Sequence, residues 1–485
     1  MPLPAANPVP PSAPRRRLAP LVCALAAALS GCTALAPQSA ALPDTPVPQA
    51  WTTQITSPYA LATPHAASLA EWWERFNDAQ LTALINRALQ ANTDVRSAQA
   101  ALLQARALRD VRAASLLPAV GTSASARRSQ SGSSDPANSF QAGFDASWEP
   151  DVFGGNRSAA RATTADAQAA EASLANIRVS MAAEVAVTYI ELRGLQARLA
   201  IAQRNLAAQR ETLQLSRWRA QAGLVSSLDV EQAVAASEQT SAQIPLLQTS
   251  TAQALTSLAV LSGQAPGALQ ASLGAPVAVP QPPADLALAL PADTLRQRPD
   301  VRAAERRISA ALARVAQADA ARYSGFQLGG SLGLNALTLG TLTSGASVVR
   351  SLLASVTVPL FDGGAARAQV RAQEATLEQA RVAYQGAVLT ALKDVEDALV
   401  SLQGNRERLA RLQAAAEAAG NADLLAGQRY ASGLIDFRSV LETQRTLLST
   451  QDSVEATRAS LSADHVRLYK ALGGGWTPGA SAATP

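Results

Sequence analysis

The feature that most constrains this chain is that one unit is written in it twice. Asn92-Thr93-Asp94-Val95-Arg96-Ser97-Ala98 matches Arg298-Pro299-Asp300-Val301-Arg302-Ala303-Ala304 at an offset of 206. Asp151-Val152-Phe153-Gly154-Gly155-Asn156-Arg157 then matches Leu360-Phe361-Asp362-Gly363-Gly364-Ala365-Ala366-Arg367 at 209 to 210. Gly223-Leu224-Val225 matches Gly433-Leu434-Ile435, and Gly263 matches Gly473, both at 210. Four landmarks in one order at a nearly constant offset set the architecture as a duplication, which overrides the length prior of about three domains for 485 residues.

Within each unit the hydrophobic period changes from helical to strand-like and back. Asn92 and Thr93 open a helix at about 94–117, which Pro118 stops. Two extended segments follow, at about 119–128 and 139–149, separated by Ser-Gly-Ser-Ser-Asp-Pro turn chemistry. In the second, Phe140, Ala142, Phe144, Ala146 and Trp148 alternate with Gln141, Gly143, Asp145, Ser147 and Glu149, giving one apolar and one polar face. The second unit repeats this at about 325–335, with Phe326, Leu328, Gly330, Leu332 and Leu334 on one face, and at about 347–358, with Leu352, Ala354, Val356 and Val358. Segments of about 10 residues suit tilted membrane-crossing strands, although a soluble two-layer sheet alternates in the same way.

Almost no proline or glycine interrupts the stretches after Arg157 and Arg367, so each of about 60 residues reads as a helix of about 90 to 100 Å at 1.5 Å per residue. Leu192, Leu199, Leu206 and Leu213 recur every seventh residue, as do Val440, Leu447, Val454, Leu461 and Leu468. Sustained heptads underwind helices into coiled-coil packing with a neighbour. An alanine-rich coiled-coil spacer would explain these helices but neither the strands nor the duplication.

Arg15-Arg16-Arg17 precede the apolar run Leu18 to Leu29, too short for a bilayer span of about 20 residues but suited to a signal-peptide core. The run ends in Leu29-Ser30-Gly31-Cys32, which resembles the lipobox of bacterial lipoproteins. By that resemblance residues 1–31 are removed, the Cys32 sulfur carries diacylglycerol with an N-acyl lipid on its amine, and Thr33 argues against inner-membrane retention. Residues 32–60 then form a lipid-anchored tether, rich in Pro, Ala and Ser in its first part. No later stretch offers 18 continuous apolar residues, so no transmembrane helix is expected.

Composition excludes other classes. The pI near 9.4 and net charge of +4 suggest nucleic acid, but three of the 41 basic residues lie in the signal segment, leaving 38 against 37 acidic ones. No nucleic-acid partner is expected. His65, His465 and two cysteines are too few for histidine/cysteine metal clusters or a disulfide framework, and imidazole catalysis is starved of candidates. The chain lacks a phosphate-cradling G-x-x-x-x-G-K-[ST] and a metal-binding H-E-x-x-H, and its G-x-S-x-G match at 329–333 does not stand between strand and helix as an elbow would. Neither enzyme activity nor a cofactor beyond the covalent lipid is expected. Gly329-Gly330-Ser331-Leu332-Gly333 falls in a strand pattern and reads as close backbone packing.

A sheet crosses a membrane only if it closes, because an open edge leaves unpaired N–H and C=O groups in hydrocarbon. Single-chain bacterial barrels start at about eight strands, so four per chain require oligomerisation if they span. A dimer would give eight and a trimer twelve, and counting does not choose.

Over roughly residues 60–475 the chain resembles the TolC-like outer-membrane factors, in particular the OprM/NodT-type efflux lipoproteins. The resemblance rests on the lipobox, Trp148-Glu-Pro-Asp-Val-Phe-Gly154, Arg298-Pro-Asp-Val-Arg-Ala-Ala-Glu305, Leu360-Phe-Asp-Gly-Gly364 and Gly433-Leu-Ile-Asp-Phe-Arg-Ser-Val-Leu-Glu-Thr-Gln-Arg445. It implies a mainly α fold with a transmembrane β part: a homotrimer with a twelve-stranded barrel in the outer membrane and a pseudo-sixfold helical tunnel in the periplasm. The implied organisation is a first repeat at 61–263, a Pro-rich equatorial segment at 264–293, a second repeat at 294–473 and a tail at 474–485. Trp51, Trp72, Trp73 and Trp476 would pack in a belt there.

The turns at Gly223, Leu224, Ser226 and Asp229, and at Gly433, Leu434 and Asp436, reverse the long helices. Glycine suits a helix C-terminus and Ser or Asp the next start, so turn chemistry alone accounts for them. The resemblance adds that such tips meet a periplasmic adaptor, or membrane fusion protein. It also places Tyr430, Glu442 and Arg445 on the constriction of a periplasmic gate, where the last two are three residues apart and able to pair on one helix turn. Arg438 stands where relatives commonly carry an apolar residue. The implied function is a passive small-molecule efflux duct in the outer membrane, driven through the adaptor by a resistance-nodulation-division-type inner-membrane pump. Two alternatives stand beside it: an envelope tether without a lumen, and a duct exporting proteins.

Overall fold

The computed structural model describes residues 42–44, 46–53, 69–282 and 291–476. Cys32, the signal segment and His65 lie outside the described residues. In chain order a 3-10 turn at Trp72–Phe76 leads to α1 (Ala79–Ala91), α2 (Thr93–Ala114), β1 (Ala119–Ser129), β2 (Ala137–Trp148), α3 (Gly155–Gln221) and α4 (Ser227–Leu261). After two short helices, α5 (Gln270–Leu273) and α6 (Pro291–Gln297), come α7 (Pro299–Ala320), β3 (Gly325–Ala336), β4 (Val348–Thr357), α8 (Ala365–Ala431) and α9 (Phe437–Ala471). The duplication is reproduced residue for residue in the long elements: α2 and α7 have 22 residues each, α3 and α8 67, and α4 and α9 35. At 1.5 Å per residue a 67-residue helix is about 100 Å long.

The chain divides into two compact units. One comprises Asp110–Thr163 and Ser309–Leu377 and holds the sheet. All four strands pair antiparallel in the order β1-β2-β3-β4, joined by hairpins across 130–136 and 337–347. The register puts Val120, Phe144, Leu332 and Leu352 on one face and Ser123, Asp145, Ser331 and Ser351 on the other. On that polar face Ser123 donates to Asp145 at 3.0 Å, and the Ser331 and Ser351 hydroxyls lie 2.8 Å apart. Gly143 stands opposite Gly333 because there is no room for side chains. A Cβ on Gly143 would come 2.7 Å from the Gly333 Cα. Where β2 leads into α3, Asp151 accepts from the Asn156 and Arg157 amides, and Phe153 stacks on Tyr323.

The other unit contains the described residues of Leu42–Arg109, Thr164–Ile308 and Glu378–Pro485. Its main core joins Trp72, Trp73 and Phe76 to Leu81 and Ile85 of α1, Tyr189 and Leu192 of α3, Leu258 of α4, Leu399 of α8 and Tyr469 of α9. The inter-repeat segment enters the same core through Leu269, Leu273 and Val279. It is held there by the fully buried Arg193, which donates to the carbonyl of Ala275 at 2.9 Å and to Gln80 Oε1 at 2.5 Å. Trp51 packs against this core, and Trp476 donates to the Gln297 carbonyl. The tryptophans therefore pack, as expected from sequence. The heptad positions do likewise: Leu192, Leu206, Leu213, Val440, Val454, Leu461 and Leu468 are buried, and Leu199 and Leu447 half-buried.

Candidate functional site

The tip residues of the second repeat and their counterparts in the first sit at two helix turns. α3 ends with Gly223 at φ 70°, the Leu224 amide donating to the Arg219 carbonyl and the Gly223 amide to Ala220. α8 ends identically with Gly433 at φ 71°, Leu434 donating to Arg429 and Gly433 to Tyr430. Such paired bonds satisfy the last helical carbonyls and require a left-handed residue, which glycine adopts without strain. The following helices are capped. Ser226 and Asp229 form a reciprocal capping box at 3.0 and 3.3 Å, and Asp436 accepts from the Ser439 amide at 3.0 Å. Hydrogen bonds from the Ser439 side chain and amide hold the Asp436 carboxyl below its usual range.

The turns themselves are open. Leu224 is 73% and Leu434 74% exposed, so each repeat presents one apolar side chain at the same position of its turn. The helix ends behind them are packed together. Leu213 of α3, Ala233 of α4, Ala426 and Tyr430 of α8, and Phe437 and Val440 of α9 form one buried cluster. Arg219, in the last turn of α3, donates to the carbonyls of Tyr430 and Ala431 at 3.2 and 3.3 Å and lies 4.5 Å over the Tyr430 ring. A cation at these C-terminal carbonyls complements the helix dipole as well as the ring. The structure thus brings the two turns together through Arg219, which sequence reasoning missed. Its basic side chain in the last turn before Gly223 was the available signal.

The three gate candidates occupy different settings. Tyr430 is 6% exposed, packs on Phe437 at 5.4 Å, and its hydroxyl has no hydrogen-bond partner among the described residues. Glu442 and Arg445 are exposed on α9 and do not form the ion pair their spacing permits. Arg445 instead borders a groove with Gln209, Thr240 and Asp452. Nearby Asp423, raised by burial, accepts from the Thr443 hydroxyl at 3.3 Å. His465 is structural: it is buried with Nδ1 2.9 Å from the Leu461 carbonyl, and burial holds its pKa down.

The second functional element is the sheet. β1 and β4 each have one neighbour, leaving an edge on either side, and the face bearing Phe144, Leu332 and Leu352 is exposed. No described helix is long and apolar enough to cross a membrane. The chain pairs this edge-exposed apolar sheet with helices of 67 residues, twice.

The family model for outer membrane efflux proteins matches residues 84–264 and 290–474, one match on each repeat. The chain belongs to that family. This outer membrane efflux protein is 32% identical over 427 residues to the pyoverdine export outer membrane protein OpmQ of Pseudomonas aeruginosa, covering 85% of the chain and 88% of the relative. It is 31% identical over 472 residues to the toluene efflux pump outer membrane protein TtgF of Pseudomonas putida, covering 93% and 96%. Among solved structures, the outer-membrane channel OprN matches with a TM-score of 0.82 at 34% identity, over 90% of this chain and all of that one. The efflux protein has the TolC-like fold, in which long periplasmic helices accompany a β-barrel that closes on trimerisation. It is an outer-membrane channel that spans into the periplasm.

Proposed function

We propose that the chain is the exit duct of a tripartite efflux system. Three copies close a twelve-stranded barrel, an adaptor docks at the helix turns, and an inner-membrane pump of the resistance-nodulation-division type supplies the energy. The observation that carries this reading is the open four-stranded sheet: its two edges call for other copies in lipid, since hydrocarbon offers backbone groups no partners. Relatives named for pyoverdine export, toluene efflux and antibiotic efflux all match this chain over most of its length. That spread favours small-molecule cargo chosen upstream of a broadly polar duct.

The paired turns suit adaptor contact. Gly223, Leu224, Ser226 and Asp229 of one repeat and Gly433, Leu434 and Asp436 of the other offer exposed leucines on capped, rigid reversals. Tyr430, Glu442 and Arg445 suit a gate. The ring is held by Arg219 and Phe437, while two opposite charges unpaired among the described residues are free to meet those of other copies. Charged rings and pore diameter set passage in channels. Purified trimers should therefore conduct in planar bilayers, and the Glu442→Ala/Arg445→Ala double variant should show raised conductance. A single-channel record identical to the parent refutes the gate, and a non-conducting monomer refutes the duct.

Anchoring to outer-membrane lipid through Cys32 is supported by Leu29-Ser30-Gly31-Cys32 and by the Pro-rich segment after it. Cells fed labelled palmitate should label the parent and not Cys32→Ala. Equal labelling of the two overturns the anchor.

A further inference from the structure

The apolar face of the sheet carries charge in only two places. Following the register, the face of Phe140, Phe144, Leu328 and Leu352 also holds Arg128 on β1, opposite Asn138, and Arg350 on β4, opposite Leu332. Both lie toward the hairpin end of the sheet: Arg128 is the penultimate residue of β1 and Arg350 the third of β4. Trp148 and Phe326 stand at the other end, where the strands continue into helices. Both arginines are exposed, and neither makes a hydrogen bond or ion pair among the described residues. That face holds no carboxylate, and the hairpins contribute only Asp135.

The two arginines also occupy the two edge strands. Within one chain β2 and β3 separate them laterally by three strand spacings, about 14 Å at about 4.8 Å each, and the register sets Arg350 level with Thr122 rather than with Arg128. When copies close a barrel, β4 of one chain lies beside β1 of the next, which brings the two arginine-bearing edges to one seam, each arginine near its hairpin end.

We propose that Arg350 of one copy and Arg128 of the next form a clamp for the phosphate groups of an anionic lipid headgroup in the outward-facing leaflet, once per seam. The proposal rests on the closed-trimer reading. A guanidinium on a lipid-facing strand is tolerated where its stem can run along apolar surface and its head reach the headgroup layer, which is where these two stand. Arginine rather than lysine occupies both positions, and its planar fork matches a pair of phosphate oxygens. With no acid on the face, the countercharge comes from the lipid. Arg127, next in sequence but on the polar face, is excluded from this contact by the pleat.

The test uses the full-length trimer in detergent, its thermal stability titrated with bisphosphorylated lipid A, with the same lipid after phosphatase treatment, and with inorganic phosphate. The phosphorylated lipid should act at least tenfold more potently than the dephosphorylated one. That preference should vanish in Arg128→Gln/Arg350→Gln and persist in Arg127→Gln. Inorganic phosphate should not reproduce it. A double variant that keeps the preference, an Arg127→Gln variant that loses it, or equal protection by free phosphate overturns the clamp. A conducting trimer without the preference sinks the clamp alone, whereas a monomeric, non-conducting preparation sinks the closed barrel and the clamp with it.

Discussion

Arg298 shows how one residue closes a joint that occurs twice in the fold. It is 7% exposed and reaches both oxygens of Asp300 at 3.1 and 2.7 Å, Asp394 of α8 at 3.0 Å and the Ala471 carbonyl at the end of α9 at 3.0 Å. Burial alone would lower its pKa, but Asp300 and then Asp394 hold it above the ordinary arginine value. Its counterpart in the first repeat is Asn92, which donates to the Leu261 carbonyl at 2.9 Å, the same final carbonyl of the equivalent helix. In both joints a left-handed glycine, Gly263 or Gly473, lies so close to the backbone of Ala91 or Arg298 that a Cβ would meet it at 2.8 or 3.3 Å. The Arg298-to-Glu305 motif that identifies the family in sequence is thus, at its first residue, a packing device. Arg298→Ala leaves the carbonyl unmet and two carboxylates without their cation. Because Asp300 and Asp394 keep some solvent, the loss should be about 2 kcal/mol, below the ~3 to 5 typical of fully buried pairs. Chemical denaturation of the detergent-solubilised protein checks this. Arg298→Lys should recover less than half, since an ammonium cannot span Asp300 in two places. Full recovery by lysine would show that charge alone matters.

At the scale of elements, the sequence exposed what is periodic and hid what is long-range. The alternation from Phe140 to Trp148 placed β2 within two residues of its observed start and one of its end, because a pleat facing two environments writes itself into every second residue. The heptad leucines marked the buried seam of α3, and glycines marked all four long-helix C-termini, where a positive φ leaves little other choice. The proline rule alone would end α4 at Pro245, yet the helix runs through it to Leu261. Its equivalent in α9, Glu455, shows that the duplicated helix tolerates either residue, and the Pro245 carbonyl accepts from the Thr249 hydroxyl at 2.9 Å. The candidate site was legible only in part. Its turn residues were visible as caps, but the contact of Arg219 with Tyr430 joins positions 211 residues apart, and no local pattern records that. Nor does spacing decide pairing: Glu442 and Arg445 face solvent because an exposed pair on one helix turn gains only about 0.2 to 0.5 kcal/mol.

For the whole molecule, the decisive property is that the sheet ends at β1 and β4 with both edges available. Strand order places these edges about 14 Å apart within a chain, beyond the ~7 Å Cα separation a disulfide can bridge. Cysteines introduced one on each edge therefore cannot cross-link a single chain, but they can cross-link neighbours around a closed barrel. Ala124 on β1 and Leu352, Ala354 and Val356 on β4 share the apolar face, so pairs drawn from them project to the same side of a seam. Ala124→Cys combined in turn with Leu352→Cys, Ala354→Cys and Val356→Cys samples three registers two residues apart. With oxidation, one of these combinations should yield dimer and trimer bands on denaturing gels without reductant, reverting to monomer when reductant is added. The same chain with only its native cysteines should stay monomeric on such gels. If all three combinations remain monomeric after oxidation while their thiols stay reactive, β4 does not meet β1 of another copy. The apolar face would then have to be covered in some other way, and the lipid clamp at the seam would lose its geometry.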